Sequence, residues 1–496
     1  MNISKILFVF ILMLLTVSPK VTSEDDLTAL SISSRESQEN QAKTVSVLSL
    51  DDVLESSGQY APTILEAIAN ARGADGGRLA AEGAFDVNIS ASGFSRVTGF
   101  WDGQVIGGEA RQNLGVFGSS VYAGYRISDG EFPVYEDINF TNTLGEAKVG
   151  ALFSLLRNRD IDGNRFALRD TRLALEQAEL DVLLSKVSVQ RQAMVAYWSW
   201  VTAGQQQKIY ARLLDIALER EKALQVQVNE GAIADIFLLE NRQNITRRQT
   251  LLTSAERLFQ NASIRLGFYL RDTNGQMRVP QFSELPAWEA QFEVDVEAVK
   301  SSMELSNILR DRPELRRLRL GLERLRQKIT LRQNDLKPKL DFNVELSHDF
   351  GNIAEGDISR DSTDTIVGFQ FSIPLGQRSA KGRLKAAKAE RTAMMYRERR
   401  IQDQISTELE GILVDITAAN ELLDLASVDV QQSRAMQEAE EKRFANGASD
   451  FFLLNIREET AANAEIRKMT ANLEVHRAYA NYAAATMNTK ALGINQ

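Results

Sequence analysis

The chain has 496 residues, 44% of them hydrophobic, with no cysteine and a formal charge of -9. That length and apolar content allow two or three domains around real cores. The acidic balance excludes the basic footprint of a nucleic-acid partner, and the lack of cysteine excludes disulfide staples and thiolate metal clusters.

The first apolar run, Ile6 to Val17 behind Lys5, falls short of the ~20 residues that span a bilayer and leads to the small residues Val21 and Ser23. Residues 1–23 therefore read as a secretory signal peptide and 24–47 as a linker. With no cysteine after the leader there is no lipid attachment site, so any hold on a membrane must come from the fold.

From about Leu48 the chain is written twice. "VGALFSLLRNRD" from Val149 matches "VGFQFSIPLGQR" from Val367, pairing Gly150, Phe153, Ser154 and Arg165 with Gly368, Phe371, Ser372 and Arg383. "EGAIADIFLLENRQN" from Glu230 matches "NGASDFFLLNIREET" from Asn446, and "FDVNISAS" from Phe85 matches "LDFNVELS" from Leu340. This is one duplication, not a short-period array. It divides the chain into repeat 1 (48–280), an inter-repeat segment (281–310) and repeat 2 (311–496).

Each repeat opens with a short helix, near 62–81 and 313–335, followed by a strand whose apolar residues alternate with polar ones. In "KLDFNVELS", Leu340, Phe342, Val344 and Leu346 alternate with Asp341, Asn343, Glu345 and Ser347, the two-residue period of a strand with one greasy and one wet face. The return strands carry Val149, Ala151, Phe153 and Leu155, and Val367, Phe369, Phe371 and Ile373. Residues 102–142 add an aromatic-rich strand or hairpin to repeat 1 alone.

No proline lies between Pro133 and Pro280 or after Pro374, so nothing breaks a helix over roughly 164–229 or 381–445. Each would run about 100 Å. Gly231 and Gly447 end them, and a second helix returns antiparallel; Leu251, Ala255, Leu258 and Ala262 recur at coiled-coil spacing. Four half-greasy strands per chain cannot close a barrel, which takes about eight, and an open edge in lipid is not viable. Three copies would supply twelve strands, with Leu340, Phe342, Val344, Leu346, Phe369 and Phe371 facing lipid and the polar residues lining a lumen. A soluble sandwich would need a second sheet, for which no strands are left.

The duplicated unit, the alternating strand pairs and the hairpin tips resemble the TolC-type outer-membrane efflux protein family over essentially the whole chain from Leu48. The resemblance implies a mostly α protein with a small transmembrane β part, a homotrimer whose twelve-stranded outer-membrane barrel continues into a periplasmic α-helical barrel. It implies outer-membrane lipid, a periplasmic adaptor and, indirectly, an inner-membrane pump as partners, in efflux or type I secretion. "LLRNRDIDGNR" varies the family's strand-to-helix crossover, lacking the proline that Pro374 supplies in repeat 2.

The tips, Gly231, Ala232 and Asp235 with Gly447, Ala448 and Ser449, are then the surface for adaptor docking. In the family the second hairpin forms the inner wall at the periplasmic entrance, and some members ring it with acids. Here Phe452 and Asn455 stand where those acids would fall, which leaves two readings of the gate: Asp450 supplies an acidic ring, or Phe451 and Phe452 form an apolar plug and Asp450 caps the returning helix.

No catalytic constellation, cofactor site or metal site is expected. The two histidines, His348 and His476, are far apart in sequence, and "YWSW" (197–200) reads as helix-packing surface. A periplasmic adaptor, the alternative, would have one hairpin interrupting one split β-domain, whereas this chain has two hairpins, each behind its own strands. A secreted coiled-coil adhesin would have no use for the strands.

Overall fold

The computed structural model describes residues 47–272, 274–287, 299, 301, 305–352 and 362–494. The expected signal peptide, all but the last residue of the expected linker and much of the 281–310 segment lie outside them. The described residues from Leu48 on belong to one packed unit.

Repeat 1 runs α1 (Leu50–Tyr60), α2 (Pro62–Glu82), β1 (Asn88–Ser95), β2 (Gln104–Asn113), β3 (Ser120–Asp129), β4 (Glu146–Ser154), α3 (Gly163–Asn229) and α4 (Asp235–Gly267). After it come α5 (Leu305–Asp311), α6 (Pro313–Asn334), β5 (Lys339–Asp349), β6 (Thr363–Ser372), α7 (Arg378–Ala445) and α8 (Phe451–Ala485). Local chemistry sets the boundaries. Ser49 and Asp52 form a reciprocal capping box at α1, while Pro62 and Pro313 occupy the first turns of α2 and α6, where a missing N–H costs nothing.

The long helices, of 67 and 68 residues, start and stop close to where the proline-free stretches put them. Each is backed by two shorter antiparallel helices. Against α3, Leu224 meets Leu238 of α4 toward the tip, and Val189 meets Ile64 of α2 toward the sheet. Against α7, Asp429 pairs with Arg467 of α8 and Glu390 with Lys328 of α6. The buried stripe of α7, Ile405, Leu409, Ile412, Ile416, Ala419 and Leu423, alternates steps of four and three, the period of helices that wrap a partner. Contacts order the hairpins α4, α3, α8, α7.

The largest core lies where α1, α3, α4 and α8 meet: Val53, Leu54, Tyr197, Trp200, Val201, Phe259, Leu266 and Ala483 are all buried there. "YWSW" packs into it, with Trp198 stacked on His476 at 3.5 Å and an interplanar angle of 9°.

The strands form one antiparallel sheet in the order β1-β2-β3-β4-β5-β6. This corrects the expectation of four strands. The 102–142 region supplies two full-length strands, β2 and β3, which enter the sheet between β1 and β4. Three copies would therefore carry eighteen strands, not twelve. A strand pattern rich in glycine and charge, as in "QVIGGEARQN", hides its period from the sequence.

Candidate functional site: sheet face and hairpin tips

The register gives the sheet two faces. Val344 lies opposite Ala151 and Val367, Phe342 opposite Phe153 and Phe369, and Leu340 opposite Phe371, so these side chains share one face with Leu346 and Val149. That face is open, with Phe369 68% and Phe371 62% exposed.

The other face is polar and cross-linked. The Tyr122 hydroxyl donates to Glu345 Oε2 at 2.5 Å, reaching from β3 over β4 to β5. Gly150 lies beneath the ring, and a Cβ there would come within 2.3 Å of Tyr122 Cζ, so only glycine permits the crossing. The Arg111 guanidinium of β2 sits 4.6 Å from the same ring centre. Glu109 holds Arg111 at 2.8 Å and Lys148 at 3.4 Å, and Arg126 pairs with Glu146.

At the far end, both hairpins turn through one motif. Gly231 and Gly447 adopt φ of 73° and 69°. The amide of Ala232 donates to Gln227 O, and that of Ala448 to Arg443 O, each at 2.9 Å, so the last carbonyls of α3 and α7 are satisfied in the manner of a Schellman turn. The returning helices differ. Asp450 caps α8 by accepting from the Leu453 amide at 2.7 Å, whereas α4 begins at an uncapped Ala234, one residue before Asp235.

Of the gate candidates, Phe451 is buried with Leu224 and Leu238 in a small core joining the two tips, while Phe452 is 68% exposed. Ser449 donates its hydroxyl to Glu440. Gly231, Ala232, Asp235, Gly447 and Ala448 are exposed.

Asn455 belongs to a buried cluster that the sequence reading missed. Glu458 of α8 accepts from Arg248 Nη2 of α4 at 2.7 Å and from Arg220 of α3 through both oxygens. Arg248 and Glu458 are each 2% exposed. Asn455 Oδ1 accepts from Arg220 and Asn244 at 2.9 Å each, and Arg248 also donates to Leu213 O at 2.6 Å. Burial pushes the Arg248 pKa below the ordinary arginine value, against the pull of Glu458. One heptad on, Glu465 holds Arg212 of α3 and Arg434 of α7. The available signal was an acid, Glu458, on the same buried stripe as Leu454 and Ala461.

At the sheet end, Arg165 serves the proline-free crossover. It donates to Asp162 and to the carbonyls of Asn158 and Arg159. Its repeat mate Arg383 is exposed and donates to the Ser379 hydroxyl within its own helix.

Among the described residues no helix is long and apolar enough to cross a membrane, which says nothing of a β-barrel. No group of histidines and carboxylates there could hold a metal ion.

The fold matches that of known channels. Residues 305–486 match the family described as "Outer membrane efflux protein". The chain is similar to the outer-membrane channel OprN (19% identity, TM-score 0.62, covering 88% of this chain and 89% of that one). It is also similar to the Campylobacter jejuni outer-membrane channel CmeC (14%, TM-score 0.63, covering 90% and 89%) and to the open state of the Neisseria gonorrhoeae outer-membrane channel MtrE (13%, TM-score 0.60, covering 91% and 94%). No curated protein matches the chain. At these identities the solved structures show the fold, mostly helical with a small sheet. The family match over repeat 2 bears out the resemblance to TolC-type outer-membrane efflux proteins.

Proposed function

We propose that the chain is the exit duct of a tripartite efflux or type I secretion system: a homotrimer in the outer membrane with its long hairpins in the periplasm. The hairpins receive substrate from a periplasmic adaptor and an inner-membrane pump. The observation that carries this reading is the open apolar face of a sheet whose two edge strands, β1 and β6, have no neighbour on their outer sides among the described residues. Such a sheet is at home in lipid only when closed, and its strands of eight to eleven residues suit a tilted membrane wall. The tips carry the exposed small residues against which adaptor hairpins would seat.

The test is made on the full chain expressed with an adaptor. A detergent-requiring trimer in outer-membrane fractions is expected, conducting ions in planar bilayers. Ala232→Trp or Ala448→Trp should abolish adaptor cross-linking and export while leaving trimers intact. A detergent-independent monomer overturns the duct, and unchanged cross-linking in both variants removes the tips from docking.

A further inference from the structure

The β2–β3 hairpin has no counterpart in repeat 2, yet it forms part of the sheet. Tyr122 of β3 reaches across β4 to Glu345 of β5, and Arg111 and Glu109 of β2 close the network with Lys148 of β4. Four consecutive strands are thus tied on one polar face.

The free edges are compatible with each other. In an antiparallel sheet with an even number of strands, β6 of one copy meets β1 of the next antiparallel. β1 is exposed at every position and β6 at all but Gly368. The duplication also supplies a template for their register. Within the chain, repeat 1 meets repeat 2 where β4 pairs with β5, setting Gly150 opposite Glu345 and Leu152 opposite Asn343. β4 matches β6 and β5 matches β1 in sequence. Transferred to the matching residues, that register puts Gly368 opposite Ser90, and Gln370 opposite Asn88, of the next copy.

We propose that three copies close edge to edge through β6 and β1, in the register of the internal β4–β5 seam, into an eighteen-stranded wall. The Arg111–Tyr122–Glu345 network of each copy lines its lumen. This rests on the three-copy duct reading. At eighteen strands the barrel encloses an aqueous channel of porin width and leaves no sheet edge exposed.

The experiment uses the full chain, which has no native cysteine to interfere. Asn88→Cys combined with Gln370→Cys should give a reducible covalent trimer on a non-reducing gel. Ser92→Cys combined with Gln370→Cys, displaced by about 13 Å along the strand, should remain monomeric. A density map of the unmodified detergent-purified assembly gives an independent count, with eighteen strands expected. Trimers with twelve strands and β2–β3 outside the wall, or cross-linking that favours the displaced pair, overturn the inference while the duct reading stands. A chain that forms no trimer defeats both.

Discussion

Removing the Glu458 carboxylate should loosen the tip end of the hairpins more than any surface change there. Glu458 answers two guanidiniums, and Arg248, itself 2% exposed, would be left with two neutral acceptors, Leu213 O and Asn455 Oδ1. Breaking a buried pair by deleting one partner costs about 3–5 kcal/mol, because the remaining charge stays desolvated. With two arginines stranded, Glu458→Ala belongs in the upper half of that range. Glu459 is the internal control: it pairs with Arg247, whose side chain is 64% exposed, so Glu459→Ala should cost about 0–1 kcal/mol. The assay is urea-induced loss of helical circular dichroism in detergent, with limited proteolysis at the tips to localise the loosening. Replacing Arg248 with Met as well should recover part of the loss, since the stranded charge goes with it. Equal stabilities of Glu458→Ala and Glu459→Ala would refute the argument.

Burial pushes the His476 pKa from its usual 6.5 down to about 3. The unfolded chain therefore binds the extra proton between those values, and the histidine's contribution is complete above pH 6.5 and is lost as pH falls toward 3. By pH 5 the loss is about 2 kcal/mol, and His476→Phe, which keeps an aromatic ring on Trp198, should flatten the acid limb of the stability profile; an unchanged slope counts against the assignment. On the sheet, Val344→Arg or Phe371→Arg should cost about 2–4 kcal/mol near a bilayer midplane. Gln370→Arg, on the polar face, should be tolerated, and equal trimer yields from both faces would reverse the assigned orientation. At the gate, Asp450→Asn preserves a capping side chain and removes only charge, so a fall in cation selectivity in single-channel recordings supports an acidic ring, whereas raised conductance in Phe452→Ala supports a plug. Phe451→Ala should instead destabilise the tip by about 3–4 kcal/mol, because its ring is buried.

The long helices and their turns were legible because they rest on local rules: a proline-free run, a glycine with positive φ, and an apolar stripe. The strand β5 was legible for the same reason, since Leu340 to Leu346 alternate cleanly. β2 and β3 were not. Gly107 and Gly124 face neighbouring strands at close range, Tyr122 of β3 is held by Glu345, 223 residues away in sequence, and Glu109 of β2 by Lys148 of β4. The Arg220–Arg248–Glu458 cluster was hidden in the same way. Charged residues in a heptad read as solvated surface until a second hairpin covers them.

The duplication lets the in-chain seam be compared with the seam between copies that the duct reading requires. Inside the chain α3 packs on α8, and the duplicated equivalent is α7 packing on α4 of the next copy. With the turn glycines and the Leu-Leu pairs aligned, Arg220 and Arg212 of α3 correspond to Met436 and Val428 of α7, and Glu458 and Glu465 of α8 correspond to Gln243 and Thr250 of α4. Met436 and Val428 are about half exposed in the single chain, as expected of residues awaiting a neighbour. Every Arg–Glu pair of the internal seam is thus replaced by apolar and neutral polar residues at the outer one. A hairpin ring built this way parts between copies before it parts within them, because leaving a methionine or glutamine in water costs far less than stranding a buried arginine. Met436→Arg with Gln243→Glu would recreate the internal pair across the outer seam. The double variant should dissociate at higher urea than either single variant and conduct less, with a coupling of about 0.5–3 kcal/mol. Additive effects of the two substitutions would show that these residues do not meet, and that the outer seam does not repeat the inner one.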